Sequence, residues 1–263
     1  MKRSSGARLC ATAAIGALSL SLLTACSDEG SKDSADSKTS SSASASASSP
    51  SSASGAKALT SAELVKLLLA QGEIKGYKVE AEDDSAKSSK SSVKIDKAAC
   101  NPLAWATNGL PPGDTDANAT NSLTEEKATT ATAKPEDLEN AFDVSVTFVG
   151  LSSYEAGGAE KAMKALSDGV TACAGGYGFT ADGETSKVIK VAAEKGSGQG
   201  DESVAFIQDV VVEGQTVTAH TEVVRKGGIL ATLFTMDIAT LAKGGEMSDI
   251  PAAVIDAQVA KLK

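Results

Sequence analysis

Three segments near the C-terminal end, residues 204–212, 216–224 and 229–238, are rich in β-branched and apolar side chains. Only residues 213–215 and 225–228 separate them, with the turn signals Glu213-Gly214 and Gly227-Gly228. A parallel crossover needs a dozen or more residues, so connections this short force the three to pair antiparallel as a meander. Everything else that folds must pack on that unit.

Further strands are expected at 188–192, at 74–81 and at 142–151, where Phe142, Val144, Val146 and Phe148 share one face. The polar, Thr-rich stretch 113–140 offers one edge strand at 127–133. Helices bracket the strands. Thr60-Ser61-Ala62-Glu63 reads as a capping box, Leu64, Leu67 and Leu68 as the buried face behind it, and Gly72 as the stop. Asn101-Pro102 reads as an N-cap and first helical residue, opening a short helix with Leu103 and Trp105. Ser152 and Glu155 suggest a second capping box; behind it Ala159, Met163, Leu166, Val170 and Cys173 step by four, three, four and three, one helical stripe. Asp249 is the expected cap of a last helix whose inner face is Ala252, Ile255, Val259 and Leu262. The pattern is α+β: an antiparallel meander sheet with helices packed on it, in a single domain over 59–263.

The N-terminus has a different composition. Lys2, Arg3 and Arg8 precede an apolar run over 9–23, too short to span a bilayer and built like a secretion signal. It ends in Leu23-Thr24-Ala25-Cys26, which resembles the bacterial lipobox. The resemblance implies that residues 1–25 are a lipoprotein signal peptide and that Cys26 carries the acyl chains. Two or more chains anchor stably. Residues 27–58 hold 14 Ser and 7 Ala, with no aliphatic side chain larger than alanine. Such a stretch cannot bury enough surface to offset its entropy, so 26–58 is expected to be a disordered tether with a root-mean-square span of about 30 Å. The implied location is the outer face of the cell membrane, with the membrane as partner through Cys26.

Loss of Lys2, Arg3 and Arg8 with the signal leaves 22 basic residues against 34 acidic ones. This excess argues against nucleic acid as a partner. It also means that acyl chains rather than charge must hold the protein at an anionic leaflet.

Two cysteines remain for the extracytoplasmic domain, Cys100 and Cys173. In an oxidising compartment they read as one disulfide. The other reading, a metal or catalytic pair, wants more His or Cys than the chain has.

The order helix, strand, Cys-Asn-Pro-Leu (100–103), strand, Cys-bearing helix, Gly-Asp-Glu-Ser (200–203) and a strand closing on Val-Val-Arg-Lys-Gly-Gly (223–228) resembles the extracellular sensor domains of the PknH type found in actinobacteria. The Mog1/PsbP-like lipoproteins are a second group that it resembles. The first resemblance implies an antiparallel sheet with two main helices, a cleft and structural disulfides. It departs from that group in having cysteines for one bridge rather than two.

No nucleophile and base stand in a recognisable arrangement, so no catalytic residue, cofactor or resident metal is assigned and the chain is read as a non-enzyme. His220, the one histidine, lies in a strand whose face also carries Thr218 and Glu222, and reads as a surface residue. Residues 196–200, Gly-Ser-Gly-Gln-Gly, lack the following helix of a phosphate loop and read as a turn. Asp114, Asp116, Asn118, Thr120, Ser122 and Glu125 have the spacing of an EF-hand loop, but Ala119 takes the place of its glycine; calcium and a solvated loop are the two readings. Arg225, the only arginine beyond the signal, ends a mostly apolar strand face. It is expected to pair with Asp201 or Glu202, to hold an anionic ligand in a cleft, or to stand in solvent. The function expected is that of a ligand-binding or sensor-like module for an unidentified small ligand. The alternative is a structural or partner-binding envelope protein.

Cys26→Ser is expected to abolish acylation and release the protein from the membrane. Metabolic palmitate labelling checks this; unchanged labelling would remove the assignment.

Overall fold

The computed structural model describes residues 57–81, 89–126, 144–181 and 183–262. The signal peptide, Cys26, most of the tether and the edge strand expected at 127–133 lie outside these residues.

The elements are α1 (Ser61–Val65), β1 (Tyr77–Ala81), β2 (Lys94–Ile95), α2 (Asn101–Ala106), β3 (Asn118–Glu125), β4 (Ser145–Ser153), α3 (Gly158–Ala172), β5 (Tyr177–Ala181), β6 (Glu184–Glu194), β7 (Glu202–Val212), β8 (Gln215–Lys226), β9 (Ile229–Asp237), α4 (Ile238–Lys243), β10 (Gly245–Glu246) and α5 (Ala252–Lys261). The strands form one sheet in the order β1-β3-β4-β9-β8-β7-β6-β5-β2, with β10 added beside β8. All neighbours are antiparallel except β10 and β8, which run parallel for two residues. The fold is α+β.

The meander is built as its turns dictate. Val212 pairs with Gln215 across Glu213-Gly214, and both turn residues have positive φ, 48° and 83°. That is the backbone of a type I′ turn, whose twist matches that of the strands it joins. Glu213 is the one described non-glycine residue with positive φ.

Helices cover both faces of the sheet. On one face α2 and α3 pack over Val188, Val191, Phe206, Val223 and Leu230. On the other, α1 and α5 pack over Leu123, Val149, Leu151, Val224 and Leu233. The stripe of α3 is buried along its length, with Met163, Leu166 and Cys173 fully enclosed. Cys173 is bonded to Cys100, which ties the lead-in of α2 to the end of α3. Trp105 also belongs to α2. The Lys90 ammonium stands 4.8 Å from its ring centroid, and the indole N–H is buried without a hydrogen-bond partner. Gly176 makes the turn from α3 into β5: φ is +79°, and a Cβ there would meet the Val188 carbonyl at 2.2 Å.

Several local expectations change. The capping box of α1 is present, with the Glu63 carboxylate accepting from Thr60 N and Oγ1 at 2.8 Å. The helix stops well before Gly72, because Leu69 is held elsewhere: its N–H donates to Gln258 of α5 and its carbonyl accepts from Asn121 of β3. Residues 118–125 form a strand rather than a loop, alternating buried Ala119, Asn121 and Leu123 with half-buried neighbours. In β4 the buried face is Thr147, Val149 and Leu151, while Val146 and Phe148 lie on the half-buried face. Ser152 and Glu155 make no cap, because Ser152 is still in β4; Gly157, at φ 76°, starts α3 instead. Asn101 lies inside α2 behind a 3-10 turn, and Pro251, not Asp249, precedes α5.

The disulfide closes 73 residues, which in the chain-entropy account stabilises the fold by roughly 4 kcal/mol. Replacing both cysteines by alanine is expected to lower the unfolding free energy by about 2–4 kcal/mol, read from the urea midpoint at unchanged slope. An unmoved midpoint would show that the bridge does not bear on stability.

Candidate functional site

Strands β8 and β9 pair only from Thr221–Phe234 to Lys226–Ile229. Beyond Phe234 strand β9 leaves its neighbour, and after α4 the short β10 takes the vacated place beside Val217 and Thr218. The divergence opens a cavity of about 170 Å³ on the α2–α3 side of the sheet. Val217, Ala219, Phe234, Met236, Leu241 and Met247 supply apolar walls. Val210, Ala219, Phe234, Met236 and Leu241 are only half-buried, so the folded chain leaves this apolar surface partly wet. The stacked pair Phe148–Phe234, 5.0 Å between ring centroids, and the Val146–Met236 cross-strand pair extend the apolar surface over β4.

A few polar groups converge on the same cavity. Gln208 donates to the Tyr177 hydroxyl at 2.6 Å, and burial pushes that hydroxyl's pKa far up, so it stays protonated. Thr221 Oγ1 is buried and has no hydrogen-bond partner. Apolar walls with a small number of oriented polar groups are the usual make-up of a small-molecule site. A cavity near 150 Å³ holds a benzene-sized molecule, so the room here fits an apolar group of similar size.

Arg225 lies at the far end of the same β8 face. Its Nε donates to Glu202 at 3.2 Å, directly across the β7–β8 ladder. Its Nη1 stands 3.5 Å from Glu160 of α3, 3.7 Å from Asp201 and 3.3 Å from the Gly227 carbonyl. The guanidinium is thus occupied by protein groups and sits away from the cavity. Asp201 chiefly serves the turn: it accepts from Gly227 N at 2.7 Å and from Lys226 at 2.9 Å. The Gly227 hydrogen bond first, and Lys226 second, hold its carboxyl below the ordinary aspartate value.

His220 is not a surface residue. Its side chain is 5% exposed, on the α5 side of β8, beneath the segment that joins β10 to α5. Nδ1 is 3.1 Å from both carboxylate oxygens of Glu194 and 3.9 Å from Asp249 Oδ1. Nε2 is 3.4 Å from Glu246 Oε1. Two positions along, Glu222 accepts from Ser197 N and Oγ at 2.8 and 2.6 Å, which gives residues 196–200 a defined anchor rather than a free turn. The strip of polar residues on this face is real, but α5 and its lead-in cover it.

The calcium reading fails. From Asn118 onward the would-be ligands lie along β3 at about 3.3 Å per residue, so Asn118 and Ser122 stand about 13 Å apart on one face and Glu125 lies on the other. The carbonyls of Gly113 and Thr115 instead accept from the Lys90 ammonium.

No protein-family model matches the chain, and no curated protein matches it. Among solved structures it is similar to the extracellular domain of PknH from Mycobacterium tuberculosis, at 13% identity and a TM-score of 0.41, over 78% of this chain and 95% of that one. It is also similar to the Rv0999 ortholog from Mycobacterium smegmatis, at 13% identity and a TM-score of 0.36, over 77% of this chain and 94% of that one. The first is a domain of the type that the sequence resembles.

A carboxyl whose folded pKa is depressed stabilises the fold above its ordinary value and loses that contribution as pH falls through the folded pKa. Asp201→Asn is therefore expected to lower stability at neutral pH, by under about 1 kcal/mol because the pair is partly exposed. The gap to the parent should close as pH drops below 3.8, the ordinary aspartate value. Thermal unfolding of both proteins across that range measures it; parallel curves would refute the assignment.

Proposed function

We propose that this chain is a lipid-anchored, extracytoplasmic binding module of the sensor type, without catalysis, whose ligand is a small apolar molecule or the apolar end of a larger one. The observation that carries the reading is the cavity between β8 and α4. Burying its half-wet walls under a ligand would gain roughly 25 cal/mol for each Å² of apolar surface removed from water. The unpartnered Thr221 hydroxyl offers an orienting hydrogen bond to a ligand with one polar atom. The signal sequence and Cys26 support placement at the outer face of the membrane.

The alternative is an envelope protein that docks a partner rather than a ligand. The half-buried stripe Val146, Phe148, Phe234 and Met236 favours it, since it continues past the cavity onto sheet surface that is only half-covered among the described residues.

Native mass spectrometry of the unacylated Cys26→Ser chain, purified from its own host, tests the ligand reading. A bound small molecule is expected, and Ala219→Phe, which fills the cavity, should eliminate it while preserving the fold. Absence of any bound mass, together with no saturable binding of medium-chain alcohols or fatty acids, would leave the docking reading in its place.

A further inference from the structure

We propose a second site, independent of the apolar cavity and on the opposite face of the sheet: His220, Glu194 and Asp249 bind a divalent first-row transition cation.

The three residues come from separate parts of the chain. Glu194 is the last residue of β6, His220 lies in the middle of β8, and Asp249 sits between β10 and α5. Among the described residues, this is the group of His, Cys, Asp and Glu side chains whose ligand atoms all lie within 4.8 Å of one another. Metal–nitrogen and metal–oxygen bonds to such a cation are about 2.0–2.2 Å, so ligands sharing it stand roughly 3 to 4.4 Å apart. The Nδ1 distances of 3.1 Å to Glu194 and 3.9 Å to Asp249 fall in that range.

The imidazole supplies the second observation. Nδ1 faces Glu194 and Asp249, and Nε2 faces Glu246, so carboxylates stand on both sides of the ring. A neutral imidazole has one N–H and one lone pair. Whichever nitrogen carries the proton, the other aims a lone pair at a carboxylate. Nε2 is also fully buried without a hydrogen-bond partner. A cation on Nδ1 removes the conflict: it takes the lone pair, neutralises Glu194 and Asp249, and leaves the proton on Nε2 to face Glu246. A metal-bound histidine commonly directs its other N–H at a carboxylate in this way.

The electrostatic setting is negative. Glu194, Glu222, Glu246 and Asp249 surround the ring, with Lys195 the nearby cation lining the same pocket of about 200 Å³. Solvent reaches the rim, where Asp249 and Glu246 are 92% and 72% exposed, while the covered imidazole forms the floor. One imidazole with carboxylates suits zinc and its neighbours; magnesium and calcium take all-oxygen sets.

The test is zinc titration of the full-length Cys26→Ser chain, disulfide intact and free of any affinity tag, followed by calorimetry and by the imidazole signals in NMR. One equivalent of zinc is expected to bind, to shift the His220 ring resonances and to raise Tm. His220→Gln and Asp249→Asn should each weaken binding at least tenfold. Asp249 is almost fully exposed, so its variant keeps the test valid if the histidine variant fails to fold. No binding at 100 µM zinc, undiminished binding in Asp249→Asn, or equally tight calcium binding would overturn the proposal.

Discussion

Strand β8 is the member to which the rest of the domain is fastened. It pairs with β7 from Gln215 to Arg225, with β9 from Thr221 to Lys226 and with β10 at Val217 and Thr218. Its side chains are divided by the pleat. Val217, Ala219, Thr221, Val223 and Arg225 face α3 and the apolar cavity, whereas Thr218, His220, Glu222 and Val224 face α5 and its lead-in. The departure of β9 from β8 is what makes room for both candidate sites. It opens the cavity on one face, and it admits β10, whose Glu246 and following Asp249 reach His220 on the other. Met247, between them, lines the cavity. One short strap therefore serves opposite faces of the same sheet.

Where the chain repeats a simple period, its structure could be read in advance. The stripe of α3 and the strands around Gly214 and Gly227 depend on local alternation and on turns that only glycine makes cheaply, and both are legible without tertiary information. The failures have a common physical cause. Strand β3 hides because its buried face includes Asn121, a polar side chain whose cost is offset by the Leu69 carbonyl from a distant part of the chain. The expected cap at Ser152 fails because that residue is claimed by the β4 ladder, and a long-range pairing outweighs a local hydrogen bond. Strands β2 and β10, two residues each, exist only because a neighbour is already there.

The site residues divide in the same way. The Cys100–Cys173 link follows from compartment and number. The proximity of Arg225 to Glu202 follows from counting back across a two-residue turn. His220 could not be placed so, since its face on β8 is polar and nothing in the neighbouring residues announces the cover laid over it by residues 246–255. The same holds for the cavity: Ala219, Phe234 and Leu241 carry no motif, and only the point at which β9 turns away makes them neighbours.

Trp105 is the chain's only tryptophan. It stands in the helix that Cys100 leads into, beside the Lys90 ammonium, with its indole N–H shut away from water. Light absorbed at the red edge of the aromatic band is therefore captured by one ring in α2. Contact with solvent shifts indole emission to longer wavelengths. The colour of that single emitter thus reports on whether this stretch of α2 stays packed and its indole N–H dry, without any label.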